Sequence, residues 1–419
     1  MNTISERLAR FGLAAPSILL PNSEVNLEKW AVIACDQHTS NAEYWYEVDR
    51  FVGDAPSTLR LIFPEVFLEK PGEDEKIGAI HTAMRSYVQD GILTELPNRP
   101  VLVRRTTSHG VRTGLVISVD LEAYSFERGS NTPIRASEDT IRERLPARIR
   151  IRKDAPIELP HILVLFDDPL DTVLGAVPHS RANLLYETDL MFGGGRIEGS
   201  SATEALEGIT AAFEELFSQS DNGFYFAVGD GNHSLATAKA IWDSIKPSAR
   251  RDDPRRYALV EIMNLHDRGL GIEPIHRILF GTDGEAVLDS LGDGWTVKRT
   301  SHTIDEIARL VESDRRVIGL VAEGVSALLR VPDTASLAVE SAQELVDSLA
   351  AARPDYVHGI DAVRSAVADS GAVGLLLPPV DRNAIFSSIE TGGALPRKSF
   401  SLGSAAEKRY YLEARSLTL

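Results

Sequence analysis

Residues Gly223–Ala240 read GFYFAVGDGNHSLATAKA, a stretch in which a hydrophobic strand passes through a short polar turn directly into a helix of small residues. Aromatic and apolar residues at 224–228 are typical of a buried strand. The alanine-rich sequence that begins at Leu235 favours a closely packed helix. The turn between them is therefore short, and it contains Asp230, Gly231, Asn232, His233 and Ser234.

The composition of this turn predicts an anion site at the start of the helix. Gly231 allows unusual backbone dihedrals and the close approach of a ligand, and Asn232 or Ser234 can cap the helix. Backbone N–H groups at a helix N-terminus favour an anion such as phosphate, with Asp230 and His233 beside it. The same residues are also ordinary turn chemistry, so the pattern alone leaves a purely structural role open.

The chain has 419 residues, of which 43% are hydrophobic and 25% are charged, and this composition is typical of a globular protein. We expect an N-terminal α/β region (1–130), a central region with the turn (131–300) and a C-terminal α/β region packed on the core (301–419).

The formal net charge of −17 disfavours a nucleic-acid partner, because attraction to phosphate backbones needs clustered Lys and Arg. The single cysteine, Cys35, permits neither an intrachain disulfide nor Cys-ligated zinc. The interrupted apolar positions near the start predict no signal peptide and no membrane span, so a cytoplasmic location is expected.

Helical and strand patterns alternate along the chain, which indicates an α/β or α+β fold with mixed sheets. Strand patterns at 101–105 and 114–120 predict a hairpin. Residues 30–34 read as another strand, which the polar residues 35–38 follow. Residues 201–218 read as one helix.

Positive charge is concentrated between residues 134 and 152, where six arginines lie beside acidic residues. Most of them fit a solvated helix with i,i+4 ion pairs. We favour Arg135 and Arg148 as ligands of a phosphate or carboxylate, because guanidinium binds both through paired hydrogen bonds. The sequence DLMFGGGRIEG at 189–199 is a glycine-rich loop in which Arg196 could wrap a phosphate, although a mobile surface loop is the plainer interpretation.

Two later segments also contain basic side chains. The sequence PIHR includes His276 and Arg277, which point to opposite faces if the segment is extended. The tail at 393–410 places basic residues near one another after a proline, among them Lys398 and Lys408. A solvated terminal loop is the plainer interpretation of this tail.

These motifs together resemble domain-of-unknown-function family 1015 over nearly the whole chain. The family's D-G-H-H-R-type turn matches residues 230–234, with Asn232 and Ser234 at its third and fifth positions. The segment Ile134–Thr140 resembles the family's I-x-x-H-E-x-T motif, with Ser137 in place of His. Three shorter segments resemble the family's aromatic-Asp, P-x-H-R and P-x-K-S motifs: Ala34-Cys35-Asp36, Pro274-Ile275-His276-Arg277 and Leu395-Pro396-Arg397-Lys398-Ser399.

The family is remotely similar to the superfamily of ParB-type nucleotide-binding domains, sulfiredoxins and free-serine kinases. This resemblance implies a ParB/sulfiredoxin-like nucleotide-binding core with additional α/β subdomains, and a loop at a helix start that binds nucleotide phosphates. A sulfiredoxin needs a reactive cysteine in this loop, where the chain has Asn232, and Cys35 is distant in sequence. Reduction of a sulfinic acid is therefore not expected. DNA partitioning is also disfavoured, because no helix-turn-helix pattern is evident.

The leading hypothesis is an enzyme that binds ATP, ADP or CTP with Mg²⁺ and transfers a phosphoryl group to a small polar metabolite, or hydrolyses it. Residues 231–234 and Arg196 would hold the phosphates, and His233 would donate to them. Asp230 or Glu138 would act as the base or as a Mg²⁺ ligand, since Mg²⁺ prefers carboxylate and phosphate oxygens. The remaining positive lining is assigned to His276, Arg277 and Lys398.

Two alternatives stay open. The first is a nucleotide- or metabolite-sensing module that uses the same loop without turnover. The second is a metal-dependent hydrolase built from Asp36, His38, Asp230 and His233, which requires the two polar turns to meet in space. No haem, flavin or membrane partner is expected, and homo-oligomerisation is left open.

Overall fold

The computed structural model describes residues 3–220, 222–334 and 337–418. The chain divides into two compact units: the first combines Met1–Leu270 with Ala405–Leu419, and the second is Gly271–Ser404. The unit boundaries therefore lie at 270 and 404, whereas the sequence-based division placed them at 130 and 300. The fold is mixed α/β, as the alternating patterns predicted.

The described helices of the first unit are α1 (Ile4–Ala9), α2 (Leu27–Trp30), α3 (Ala42–Val52), α4 (Glu73–Gln89), α5 (Leu145–Arg152), α6 (Leu206–Leu216) and α7 (Asn232–Ile245). Its strands are β1 (Leu13–Ala14), β2 (Ile18–Pro21), β3 (Leu93–Leu96), β4 (Val101–Thr107), β5 (Gly110–Asp120), β6 (Tyr124–Ser125), β7 (Ile134–Ala136), β8 (Ile157–Glu158), β9 (Leu163–Phe166), β10 (Leu184–Asp189), β11 (Arg196–Ser201), β12 (Phe226–Asp230), β13 (Tyr257–Asn264) and β21 (Arg415–Ser416).

Within the described part of the first unit, a ten-stranded mixed sheet has the order β10-β11-β4-β5-β13-β9-β12-β7-β6, with β1 paired to β5. Strand β12 runs parallel to β7 and antiparallel to β9. Strands β9 and β13 are almost entirely buried, which suits the near-continuous hydrophobic sequences of central strands. The predicted hairpin at 101–105 and 114–120 is confirmed, because β4 and β5 pair antiparallel with Val103 opposite Gly114.

The junction of β12 and α7 has the predicted strand–turn–helix form. Gly231 adopts φ +78°, and a Cβ at this position would lie 3.1 Å from the Cα of Ile162. A side chain would therefore be both strained and crowded there. The helix that follows buries Leu235 and Trp242 in the core, and a fully buried leucine contributes about 2 kcal/mol.

The C-terminal segment 405–418 lies inside the first unit. The N–H of Ala34 donates to the carbonyl of Arg409 at 2.8 Å, and the Arg409 guanidinium, 1% exposed, pairs with Glu261 at 3.0 Å and with Glu413. The interpretation of the tail as a solvated loop is therefore wrong for these residues. Backbone groups and charged side chains of this segment are bonded to distant residues of the first unit, such as Ala34 and Glu261.

The described elements of the second unit are β14 (Ile272–Phe280), α8 (Gly284–Asp289), β15 (Thr296–Arg299), α9 (Ile304–Ser313), β16 (Val317–Ala322), β17 (Val325–Arg330), α10 (Ala338–Ser348), β18 (Arg353–His358), α11 (Ile360–Ser370), β19 (Val373–Leu376), α12 (Arg382–Gly392) and β20 (Phe400–Leu402). Its described strands form a sheet of order β15-β17-β16-β19-β14-β18, with β20 paired to β14.

Two local predictions were wrong. Residues 30–34 do not form a strand, because Asn26 caps α2, which ends at Trp30, and only an isolated bridge at Ile33 follows. Residues 201–218 are not one helix, because Ser201 still pairs with β4 and α6 starts at Leu206. Among the described residues, no helix is long and apolar enough to cross a bilayer.

Candidate functional site

Asp230 lies at the end of β12, where both of its carboxylate oxygens are engaged. Oδ1 accepts the N–H of Gly231 at 3.0 Å, and Oδ2 lies 3.0 Å from the Nζ of Lys408. The Lys408 side chain is 8% exposed and that of Asp230 is 24% exposed. The C-terminal segment thus supplies a positive charge that the turn itself lacks.

Some polar groups in the first turn of α7 are hydrogen-bonded to other groups of the protein. The N–H of Ser234 donates to the carbonyl of Gly231 at 3.0 Å, so it is not available to a ligand. The side-chain amide of Asn232 donates to Ser137 and Val228, each at 3.4 Å. The buried Oδ1 of Asn232 has no hydrogen-bond partner among the described residues.

The structure brings two of the predicted motifs together. Because β7 and β12 pair in parallel, with Ile134 opposite Phe226, the segment 134–140 runs beside the turn. The Nε2 of His233 accepts the N–H of Ile141 at 3.2 Å, which joins the two motifs directly. Glu138 lies in this segment and is half-buried.

A second polar network starts at Ser234. Its Oγ lies 2.7 Å from the Nε2 of His161, and the Nδ1 of His161 lies 2.9 Å from the hydroxyl of Tyr411. That hydroxyl accepts the N–H of Cys35 at 3.1 Å, and Asp36 places Oδ2 3.9 Å from the Nε2 of His161. Residues from four distant parts of the sequence therefore meet on one side of α7.

Cys35 is distant from the turn in sequence but lies near it in the folded chain. It lies in the network of Ser234, where its backbone N–H donates to the hydroxyl of Tyr411. Burial raises the pKa of its thiol well above the ordinary value, and the nearby carboxylates of Asp36 and Glu65 act in the same direction. The thiol is therefore held in its unreactive, protonated form.

Arg105 on β4 determines where Lys408 lies. Its guanidinium donates to the carbonyls of Ala406, Glu407 and Lys408 at 2.7, 3.0 and 2.6 Å, and also to that of Gly194. Burial lowers the pKa of Arg105 to about 9, and neighbouring arginines act in the same direction. Arg105 thus holds the C-terminal segment by its backbone and leaves the Lys408 side chain directed at Asp230.

A cavity of about 130 Å³ adjoins this network. Ser234, His161 and Tyr411 lie in its lining. Most of its other lining residues are apolar: Leu61, Ile62, Phe63, Leu68, Met84, Ile151, Ala155, Ile157, Leu159, Ile162 and Leu259. The arrangement combines a largely apolar chamber with a few convergent polar groups, which is typical of small-molecule sites.

Of the two favoured arginines, only Arg148 reaches this cavity. Its Nη1 donates to the carbonyl of Arg144 at 2.9 Å, and its Nη2 is hydrogen-bonded to Glu65. Arg135 is 5% exposed, and its guanidinium lies 4.3 Å from the ring of Phe224. Its Nε also donates to the carbonyl of Thr132 at 3.0 Å, so the described contacts of Arg135 are with its own segment and with Phe224.

The structure does not bring Arg196 to the turn. Four strands, β4, β5, β13 and β9, lie between its strand β11 and β12. Its guanidinium pairs with Glu187 at 2.6 Å and with Asp189 at 3.2 Å, so it closes the β10–β11 hairpin. The glycine-rich loop belongs to this hairpin.

His276, Arg277 and Lys398 belong to the second unit. The Nδ1 of His276 accepts the N–H of Leu377 at 3.1 Å, and burial lowers the pKa of its imidazole to about 4. Arg277 is fully buried, and its guanidinium lies 4.6 Å from the ring of Tyr356. Lys398 is exposed and has φ +59°. The contacts of His276 and Arg277 are those of a packed interior.

The predicted metal site of the hydrolase hypothesis does not form. Among the described residues, no three His, Cys, Asp or Glu side chains are grouped so that they could hold a metal ion. The ring of His38 stacks on Tyr44 at 3.7 Å, and Asp230 is paired with Lys408. Asp36 and Asp230 stay predictions as single Mg²⁺ ligands, which would need phosphate oxygens to complete the shell.

The site is a strand–turn–helix junction of a mixed α/β protein. The Lys408 ammonium from the C-terminal segment lies next to the start of the helix, and a small, largely apolar cavity lies beside it. The chain belongs to the family described as "Protein of unknown function (DUF1015)", whose sequence profile matches residues 18–352. The family resemblance derived from the motifs is thereby confirmed. No curated protein matches the sequence.

Several solved structures are remotely similar to the chain. A free serine kinase mutant in complex with ADP is 11% identical, with a TM-score of 0.41 over 72% of this chain and 92% of its own. A conserved hypothetical protein from Pyrococcus furiosus is 11% identical, with a TM-score of 0.40 over 72% and 95%. A C-terminally truncated SbnI from Staphylococcus aureus is 12% identical, with a TM-score of 0.38 over 69% and 82%.

Sequence reasoning missed three residues of this site. Neither His161 nor Tyr411 was singled out. Lys408 was noted but placed in a solvated loop, although the sequence KRYY at 408–411 combines cations and aromatic residues in a way that favours burial. That combination was the available signal.

Proposed function

We propose that the turn 230–233 binds a phosphate group of a nucleotide or a phosphorylated metabolite, with Lys408 as its cation. The observation that carries this proposal is the Lys408 ammonium, which is anchored through the backbone by Arg105 and held 3.0 Å from Asp230. Asn232 is the first residue of α7, a position whose backbone N–H has no acceptor within the helix itself. Such a donor beside a cation at a helix N-terminus suits an anionic oxygen.

The reaction class that we propose is phosphoryl transfer to a small metabolite. This chemistry mainly requires positioned positive charge, together with a group that orients the acceptor. Lys408 would supply the charge, and Asp230 or Glu138 would act as the base or as a Mg²⁺ ligand. His233 is placed by its bond to Ile141 beside the same turn.

One observation favours binding without turnover as the second candidate. Both oxygens of Asp230 are already engaged, by Gly231 and by Lys408. A carboxylate that is occupied in this way orients the lysine and is less available as a base. A sensing module would use the same phosphate contacts and need no proton transfer.

Titration calorimetry of the full chain with ATP, ADP, AMP and CTP, each with and without Mg²⁺, tests the binding. ADP and AMP are included because they are present in the similar free serine kinase structures. We expect at least one of these ligands to bind. If none of them binds, and inorganic phosphate and pyrophosphate do not bind either, the proposal fails.

Asp230→Asn separates the two candidates. Loss of nucleotide turnover with retained binding supports the enzyme. The sensing module is supported if Asp230→Asn binds the nucleotide as the wild type does, and if the wild type neither hydrolyses the nucleotide nor transfers its phosphate to any of a pool of small hydroxyl compounds.

A further inference from the structure

The cavity beside α7 is of the size that takes a small organic molecule. Its volume is about 130 Å³, and an apolar protein cavity of about 150 Å³ accommodates a molecule of the size of benzene. Phe63, Met84, Ile151 and Leu259 are among its walls. The apolar part of an occupant would therefore contain roughly six to eight non-hydrogen atoms.

The charges in the cavity lining are already neutralised in pairs. Arg148 is hydrogen-bonded to Glu65, whose side chain is 18% exposed. Arg152 is hydrogen-bonded to Glu158, whose side chain is 3% exposed and which also pairs with Arg415 at 2.5 Å. An anionic or cationic occupant would compete with the partner that each charged group already has, and breaking such a partly buried pair is costly. The lining therefore favours an uncharged molecule.

One side of the cavity offers a place for a hydroxyl group. Ser234 and His161 are hydrogen-bonded to each other at 2.7 Å, and both lie in the lining. A serine hydroxyl has one proton to donate and two lone pairs, so Ser234 can bond a further hydroxyl while it keeps His161. Ser234 is also in the first turn of α7, next to the proposed phosphate site.

We propose that this cavity binds an uncharged molecule with a compact apolar body and a single hydroxyl group, which bonds to the hydroxyl of Ser234. This binding goes beyond the phosphate site and does not need a nucleotide. The bound hydroxyl lies on the side of the cavity that faces the first turn of α7. The class of ligand is thus an apolar alcohol or phenol, in contrast to the small polar metabolite expected from sequence.

Benzyl alcohol, toluene and benzoate are the matched probes, titrated into the full chain without nucleotide and followed by ligand-observed NMR. We expect benzyl alcohol to bind about three- to tenfold more tightly than toluene, the effect of one net hydrogen bond. Benzoate is expected to bind more weakly than benzyl alcohol. Binding of neither neutral probe, or tighter binding of benzoate, would overturn the proposal.

Variants locate the binding in the cavity. Ser234→Ala should lower the affinity for benzyl alcohol to that for toluene and leave toluene unchanged. Its control is Ser244→Ala, also on α7, whose hydroxyl donates to the carbonyl of Ile241 at 2.7 Å and which does not line the cavity. Leu68→Trp should abolish binding by filling the cavity, and Ala155→Leu serves the same purpose if the first variant does not fold. Equal binding by the filled variants and the wild type would place the probe elsewhere and refute the proposal.

ADP titrated into the same samples distinguishes the two proposals. Benzyl alcohol binding without ADP binding supports the cavity and rejects the phosphate site. ADP binding without benzyl alcohol binding does the reverse.

Discussion

The Nζ of Lys408 lies 3.0 Å from Oδ2 of Asp230, across 178 positions of sequence. Without this lysine, the carboxylate at the start of α7 would repel a phosphate. With it, the local charge is balanced, and the positive end of the helix can act on a ligand. The candidate site therefore depends on the closure of the first unit by its C-terminal segment.

The first prediction concerns Lys408. Lys408→Met should weaken the binding of ADP by about ten- to hundredfold, because it removes a charge-assisted hydrogen bond to phosphate. Calorimetry measures the change. The matched control is Lys239→Met on α7, whose ammonium pairs with Asp243 at 2.7 Å, and its affinity should stay within about twofold of wild type. Similar losses in both variants would show that general charge, and not Lys408, governs binding.

The second prediction concerns the anchor of the C-terminal segment. Arg105→Met leaves the carbonyls of Ala406, Glu407 and Lys408 without their donor, so the free energy of unfolding should fall by about 3 kcal/mol or more. Urea denaturation measures this loss, and hydrogen exchange should show faster exchange in 406–411.

The control for this variant is its neighbour in sequence. Arg104 lies 3.6 Å from Glu198 and its side chain is 32% exposed, so Arg104→Met should cost less than about 1 kcal/mol. Unaltered hydrogen exchange of the C-terminal segment in Arg105→Met would contradict the anchoring role.

The third prediction concerns Cys35, the single cysteine of the chain. Burial raises its pKa, so the thiol should react with iodoacetamide at pH 8 at least about tenfold more slowly than a free cysteine. Mass spectrometry follows the labelling without ambiguity. Unfolding in urea should restore the normal rate, and rapid labelling of the folded chain would show that the thiol is accessible and ionised.

The fourth prediction concerns the pH dependence of the second unit. The pKa of His276 is lowered to about 4 in the folded chain, from an ordinary value of 6.5. Below pH 6.5 the unfolded chain therefore binds a proton that the folded chain does not, so stability falls as the pH decreases toward 4. The full loss is about 3 kcal/mol.

Urea denaturation at pH 7 and pH 5 measures this dependence. His276→Gln cannot take up the proton, so the part of the pH dependence due to His276 should disappear in this variant. The control is His302→Gln, since His302 is an exposed residue of the same unit, and its pH dependence should match that of wild type. An unchanged profile in His276→Gln would show that this histidine does not titrate as described.

Sequence reasoning predicted the local parts of the fold well. The strand–turn–helix junction of β12 and α7 and the hairpin of β4 and β5 follow from periodicity, which depends on near neighbours. It failed at Ser201, where pairing with β4 extends a strand into a predicted helix. Such pairing is a tertiary interaction that overrides weak local propensity.

The candidate site was predicted only in part, for the same reason. The turn and the neighbouring segment 134–140 were both identified, and the parallel pairing of β7 with β12 joins them. Arg135 and Arg196 were chosen for their charge, but their partners Phe224 and Glu187 are set by packing and by the hairpin. The composition of a segment does not reveal which of its charges are already paired.

The sequence alone determined the strand–turn–helix junction, the glycine at its left-handed position and the family to which the chain belongs. These features rest on steric rules and on spacing within a few residues. Only the tertiary structure decided that Lys408 neutralises Asp230 and that His161 and Tyr411 join Ser234. Those contacts form because burial forces distant polar groups to find partners, and no local pattern records which partners they find.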